Sequence, residues 1–203
     1  MPEKFKGKYR IESTRLKHWD YGWNASYFIT ICTKNRECFF GNVMNGEMIL
    51  NDVGQIVETE WLKTFEMRPD MNLSMDEFVV MPNHFHAIIG IGENEYNSQR
   101  GAQNDVQCRD AMHCVSTTKT EITNKDTIDR NNSQNKFGPQ SKNLSSIIRG
   151  FKIGVTQNAR MINPDFARQS RFHDRIIRND ESFHKISKYI INNPMNWSED
   201  EFR

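Results

Sequence analysis

The run His84-Phe85-His86-Ala87-Ile88-Ile89-Gly90-Ile91 constrains this chain more than any other stretch. Its isoleucines make residues 84–91 read as a central strand, reached through Met81-Pro82-Asn83 from another strand around 76–80. The sequence offers candidate partners. Tyr27-Phe28-Ile29-Thr30-Ile31-Cys32-Thr33 is β-branched and aromatic, and residues 172–177 form a shorter run of the same kind. Asn45-Gly46 marks a hairpin turn ahead of Met48-Ile49-Leu50.

Between these runs the apolar spacing changes to helical. Val53, Ile56, Val57, Trp61 and Phe65 recur at helical intervals, with Asn51-Asp52 as a cap and Pro69 beyond the end. Leu144, Ile147, Ile148, Phe151, Val155 and Ile162 share one face up to Pro164. Phe183, Ile186 and Ile190 follow an i, i+3, i+7 pattern up to Pro194, with Asp180 or Ser182 as the expected cap. The order is β, hairpin, α, β, β, α, short β, α. That order predicts an α+β fold, a ferredoxin-like antiparallel sheet with helices on one face.

At 203 residues the chain suits one domain, 1–203, and its 36% hydrophobic content implies that part of the length buries little. Residues 92–142 are the expected part, a long polar insertion or flexible linker. Their middle, 124–136, is free of aromatics and of any period. No stretch approaches the ~18 consecutive apolar residues of a membrane span, and the first ten residues lack the apolar core of a signal peptide, so the expected location is cytoplasmic. Cys32, Cys38, Cys108 and Cys114 form two C-x5-C pairs, wider than metal ribbons use, and read as reduced thiols.

His84 and His86 are the strongest chemical signal. Side chains at i and i+2 of a strand leave the same face, so two imidazoles project together and make half of a divalent-metal site. The bland alternative is two polar residues on a half-exposed strand. Tyr189 and Asn193, spaced i, i+4 on the last helix, stack on one face. Taken singly they read as a packed aromatic and a helix cap. Taken with the two histidines they describe two imidazoles and an amide oxygen beside a phenol.

At this point the chain resembles a known family. Met81-Pro82-Asn83-His84-Phe85-His86-Ala87-Ile88-Ile89 is similar to the His-hydrophobic-His (HUH) strand of single-tyrosine transposases. Lys188-Tyr189-Ile190-Ile191-Asn192-Asn193-Pro194 is similar to the tyrosine helix of the REP-associated tyrosine transposases and their IS200-like relatives. The likeness runs from about Tyr27 to Trp197 and breaks across the polar insertion. It implies metal ligands His84, His86 and Asn193, a nucleophile in Tyr189, and Mg²⁺ or Mn²⁺ as cofactor. Insertion-sequence members commonly carry Gln at the Asn193 position, so this chain sides with the REP-associated branch. The implied activity is cleavage and transfer of single-stranded or hairpin DNA through a 5′-phosphotyrosine. A homodimer stays open, since insertion-sequence relatives exchange the tyrosine helix between subunits and REP-associated ones need not. Two alternatives stay open as well: a hydrolase using metal-bound water, and a nucleic-acid-binding protein of the same fold that no longer cuts.

The net charge of about +1 says nothing of nucleic acid by itself, but its distribution does. Residues 142–178 hold eight Lys and Arg against Asp165 and Asp174. Arg149, Lys152, Arg171 and Arg175 are the candidate phosphate contacts there. The basic N-terminal segment adds Arg15, Lys17 and Trp19, the last as a stacking platform or, equally, as cover for the sheet. The acids gather elsewhere, in the insertion and in Glu199-Asp200-Glu201.

Overall fold

The alternation of residues 84–91 sorts the whole molecule into layers. In the computed structural model, which describes residues 15, 16, 19–101, 141–200 and 202, these residues form strand β5 (His84–Ile91). Its partners are β1 (Ala25–Cys32), β4 (Leu73–Met81) and, beyond β1, β6 (His173–Ile177), in the order β4-β5-β1-β6 and antiparallel throughout. Helix α1 (Asp52–Glu66) joins β1 to β4, and α3 (Leu144–Ile162) comes between β5 and β6. This is the expected ferredoxin-like α+β arrangement. Strand β4 starts earlier than its apolar content suggests, carried by ladder bonds through a bulge between Met75 and Phe78.

The core lies between the sheet and the α1–α3 layer. Phe85, Ala87, Ile89 and Ile91 from β5 meet Tyr27, Ile29 and Ile31 from β1 in one buried cluster. Trp61 of α1 is fully buried, with its ring in edge contact with Phe65, Phe85 and Phe151. Burying an aromatic of this size contributes about 2–3 kcal/mol, so this quartet is the main weld between the layers. Asn158 of α3 donates to Glu60 of α1 at 3.0 Å beside it.

Local sequence explains the ends of the helices. Asn51 accepts from the Gly54 N–H as the cap of α1, and Asn143 and Ser146 bond reciprocally at the start of α3. The last helix, α4 (Asp180–Asn192), is capped by Asn179, which accepts from the Ser182 N–H, and not by Asp180 or Ser182 as its sequence suggested. The two chemistries are alike and the register differs by a residue or more. Asn45 and Gly46, with φ of 53° and 80°, turn the β2 (Gly41–Met44) and β3 (Glu47–Leu50) hairpin, a conformation these two residue types tolerate best.

Helix α4 crosses the other face of the sheet. Ser187 donates to Glu77 of β4 at 2.9 Å, and α4 meets β4 and β5 on the side from which His84 and His86 project. The sheet therefore carries α1 and α3 on one face, as expected, and the helix of Tyr189 on the other, where the expected arrangement had helices on one face alone.

The start of the expected insertion is folded. A short helix, α2 (Glu95–Gly101), follows β5, and buried Asn97 donates to the carbonyls of Gly22 and Gly92. Tyr96 donates to Asp70, and Lys142 pairs with the same carboxylate, so both ends of the excursion meet at one residue. The body of the insertion, 102–140, lies outside the described residues. Cys32 is buried and Cys38 exposed, both as free thiols. Among the described residues no helix is long and apolar enough to cross a membrane.

Candidate active site

Strand pairing fixes the two imidazoles before any ligand is considered. His86 faces Thr30 across the β1–β5 ladder, and its Nδ1 lies 2.8 Å from the Thr30 hydroxyl. Phe28, also on β1, stacks on the His86 ring at 5.2 Å between centroids. His84 bonds through Nδ1 to Asn83 Oδ1 at 2.8 Å. The two rings stand 4.5 Å apart, and exposure of the residues is 0% for His84 and 1% for His86.

The tautomer of His84 follows from its neighbours. Asn83 Nδ2 donates to the carbonyls of Arg36 (3.1 Å) and Phe202 (2.7 Å), so Asn83 Oδ1 is oriented to accept. His84 Nδ1 must then carry the proton and Nε2 the lone pair. That Nε2 is buried and has no hydrogen-bond partner among the described residues. Burial lowers the His84 pKa to about 4, against an opposing push from Asp200, and lowers that of His86 well below the ordinary histidine value. Both rings are neutral near pH 7, the form that ligates a metal.

Helix α4 brings the rest of the predicted set. Tyr189 Oη stands 3.2 Å from His86 Nε2, and its ring lies edge-on to Phe28. Tyr189 is 43% exposed, so a large substrate can approach the phenol. Asn193 is 2% exposed and lies against His84, and its Oδ1 is a second buried acceptor with no donor. Two lone-pair donors buried without protons to receive are expensive, about 1–3 kcal/mol each, unless something cationic joins them. A divalent cation held by His84, His86 and Asn193 fits these atoms.

The predicted DNA contacts divide. Arg175 lies on β6 opposite Phe28 and is exposed on the histidine side of the sheet, and Arg171 is exposed just before that strand. Arg149 is exposed on α3, in the layer on the far side of the sheet. Lys152 does not reach solvent. Its Nζ donates to the carbonyls of Gln169, Ser170 and Arg171, each at 3.0 Å, because its helix turns it inward over the chain leading to β6. Arg15 is engaged by the buried Asp174 at 2.8 Å and lies over the rings of Tyr21 and Phe172. Trp19 donates to Tyr27 Oη at 3.1 Å and packs edge-on against Trp23, so it covers the sheet. Lys17 lies outside the described residues.

The sequence marks the C-terminal segment only as a place where acids collect, and here the structure differs. Trp197 and Phe202 lie 6.0 and 5.0 Å from the His84 ring, and the Asp200 carboxylate comes within 3.9 Å of His84 Nε2. Nothing in the local sequence signals this approach, since it depends on the turn Trp197–Glu199 reversing the chain after α4.

Comparison with known proteins agrees with this fold. A REP-associated tyrosine transposase bound to a REP hairpin superposes with a TM-score of 0.52 over 94% of this chain and 77% of that one, at 15% identity. The chain therefore has the fold of a tyrosine transposase. It belongs to the same family as an uncharacterized protein of Haemophilus influenzae, 37% identical over 197 residues, which are 96% of this chain and 94% of that protein. A candidate transposase of Deinococcus radiodurans aligns more loosely, at a TM-score of 0.39 and 10% identity over 89% of this chain and 97% of that one. No family model matches the chain.

Proposed function

We propose that this protein is a metal-dependent transposase that cuts single-stranded DNA with Tyr189 as nucleophile and holds the cut end covalently. The observation that carries the reading is the convergence of Tyr189 Oη, the neutral His86 Nε2 and two buried acceptors without donors, His84 Nε2 and Asn193 Oδ1. His84, His86 and Asn193 would hold Mg²⁺ or Mn²⁺, since two imidazoles and an amide oxygen suit such an ion. When bound, the cation supplies positive charge that polarises a phosphate and offsets charge in the transition state.

The chain's own residues do the rest. A phenol has a pKa of about 10 and is a weak nucleophile at neutral pH, so its position must supply much of the rate. The contact of Tyr189 with His86 and its edge packing on Phe28 fix the phenol beside the ligand set. Attack forms the bond from Tyr189 Oη to phosphorus and breaks the bond to the 3′ oxygen. A 5′-phosphotyrosine and a free 3′-hydroxyl result, and a second 3′-hydroxyl can reverse the step on a new strand. The REP hairpin bound by the structural neighbour makes hairpin DNA the first substrate to try. Arg171 and Arg175, exposed on or next to the edge strand beside Phe28, are the phosphate contacts this reading favours.

The test is cleavage of an end-labelled single-stranded hairpin oligonucleotide with Mn²⁺. Cutting should stop in EDTA and in His86→Ala, while that variant keeps its fold and most of its DNA affinity. Undiminished cutting in EDTA refutes the metal-dependent reading.

A further inference from the structure

We infer that Asp200 is a fourth, anionic ligand of the cation held by His84, His86 and Asn193, an inference that rests on the metal-dependent reading above. The placement of buried polar atoms leads to it. His84 Nδ1 is engaged by Asn83 Oδ1, so Nε2 is the ring nitrogen left to face Asp200. Asn193 Oδ1, beside the same ring, is an acceptor without a donor. The Asp200 carboxylate, 3% exposed, brings Oδ2 to 3.9 Å from that Nε2. Its other oxygen, Oδ1, accepts from the Phe202 N–H at 2.6 Å, which orients the group. Asp200 Oδ2 and His84 Nε2 thus lie together in the interior, and Asn193 approaches the same ring. A cation at these atoms would offset the burial of the Asp200 carboxylate, which is 3% exposed and faces the ring at 3.9 Å.

The spacing suits shared coordination. Two donors on one Mg²⁺ or Mn²⁺ ion, each about 2.1 Å away, stand roughly 3–4 Å apart. Among the described residues no three His, Cys, Asp or Glu side chains, His84, His86 and Asp200 included, are already placed to hold a metal by themselves, so Asn193 and a closer approach of Asp200 belong to the inference. The set instead combines two strand imidazoles with an amide from the end of α4 and a carboxylate from the turn beyond it. Asp200 would halve the net charge of the loaded site, and it would add an ionic tie to a C-terminal turn that the bond from Asn83 to the Phe202 carbonyl already holds against the sheet. It also adds a hard oxygen donor, which favours Mg²⁺ and Mn²⁺ over softer ions.

Mn²⁺ binding to the full-length protein tests this without recourse to catalysis, by the loss of the free-ion electron paramagnetic resonance signal. The variants are Asp200→Ala, Asp200→Asn, Asp200→Glu and His86→Ala, each checked by far-ultraviolet circular dichroism. Asp200→Ala should bind Mn²⁺ about tenfold or more weakly. Asp200→Asn, which keeps the acceptor for Phe202, should fall between it and wild type, and Asp200→Glu should recover affinity by restoring the charge. His86→Ala should bind none measurably. If Asp200→Ala binds as tightly as wild type, or tighter, while His86→Ala does not bind, Asp200 is no ligand and the three-ligand site stands. If Asp200→Ala fails to fold, equal affinity of the Asn and Glu variants overturns the inference instead. If wild type and His86→Ala bind Mn²⁺ alike, the metal-dependent reading itself fails.

Discussion

Tyr189 Oη and His86 Nε2 stand 3.2 Å apart although 103 residues separate them in the chain. The contact spans the sheet and the last helix, so it exists only when α4 lies on the histidine face. It couples the candidate nucleophile to a candidate ligand, and the expected behaviour of the protein follows from that coupling.

The buried imidazoles predict acid sensitivity of the metal-free protein. The folded pKa is about 4 for His84 and well below the ordinary value for His86, burial being the main cause in both. Between the unfolded value near 6.5 and the folded value, the unfolded chain binds more protons. Stability is therefore full above about pH 6.5 and falls as pH drops toward 4, by on the order of 3 kcal/mol for His84. Urea midpoints measured across this window should fall more steeply in wild type than in a His84→Gln, His86→Gln double variant. Equal slopes would mean that the rings titrate freely.

Lys152 should matter for folding and not for DNA. Burial lowers its pKa to about 8, with the Arg168 charge adding to the effect, and three carbonyls take its protons. Lys152→Met strands those carbonyls and should lower stability by roughly 2–4 kcal/mol in urea unfolding. Affinity for single-stranded DNA at permissive temperature should be unchanged. A loss of affinity without a loss of stability would return Lys152 to the phosphate contacts.

Arg175 and Arg149 give a contrast in geometry. Arg175 is exposed on the histidine side of β6, and Arg149 on the far side of the sheet. Arg175→Ala should weaken DNA binding several-fold and reduce the salt slope by about one ion, while Arg149→Ala leaves both as they were. The reverse pattern would put the DNA on the α1–α3 layer.

These contrasts mark where sequence reasoning works and where it stops. The strand at 84–91 was legible to the residue, because Ile88, Ile89 and Ile91 give it the apolar, β-branched content of a strand buried on both faces. The convergence of Tyr189 and Asn193 on the histidines was legible as a pattern, since i, i+4 spacing survives any packing of the helix. The basic segment was not, because charge along the chain does not reveal direction: Lys152 turns inward, Arg149 faces away, and Arg15 is spent on Asp174. Asp200 was illegible for the same reason. A carboxylate in an acidic tail looks solvated until a tight turn returns it to His84.

Asn193→Ala separates a ligand from a nucleophile on the same helix face. The phenol remains while the cation is held less well, so metal affinity should drop by about 10- to 100-fold. Raised Mn²⁺ should partly restore cutting in this variant. A defect that no concentration of Mn²⁺ relieves would assign Asn193 a role other than ligation.

The most direct test is a covalent adduct on Tyr189. Wild-type protein incubated with Mn²⁺ and a single-stranded hairpin oligonucleotide should yield an SDS-resistant protein–DNA species. A label placed 3′ of the cut should stay with the protein, because Tyr189 retains the 5′-phosphate. Tyr189→Phe removes one oxygen from a side chain that is 43% exposed, so folding and binding should survive while the adduct vanishes. If Tyr189→Phe still cuts at the wild-type rate, water is the nucleophile and the covalent account is wrong.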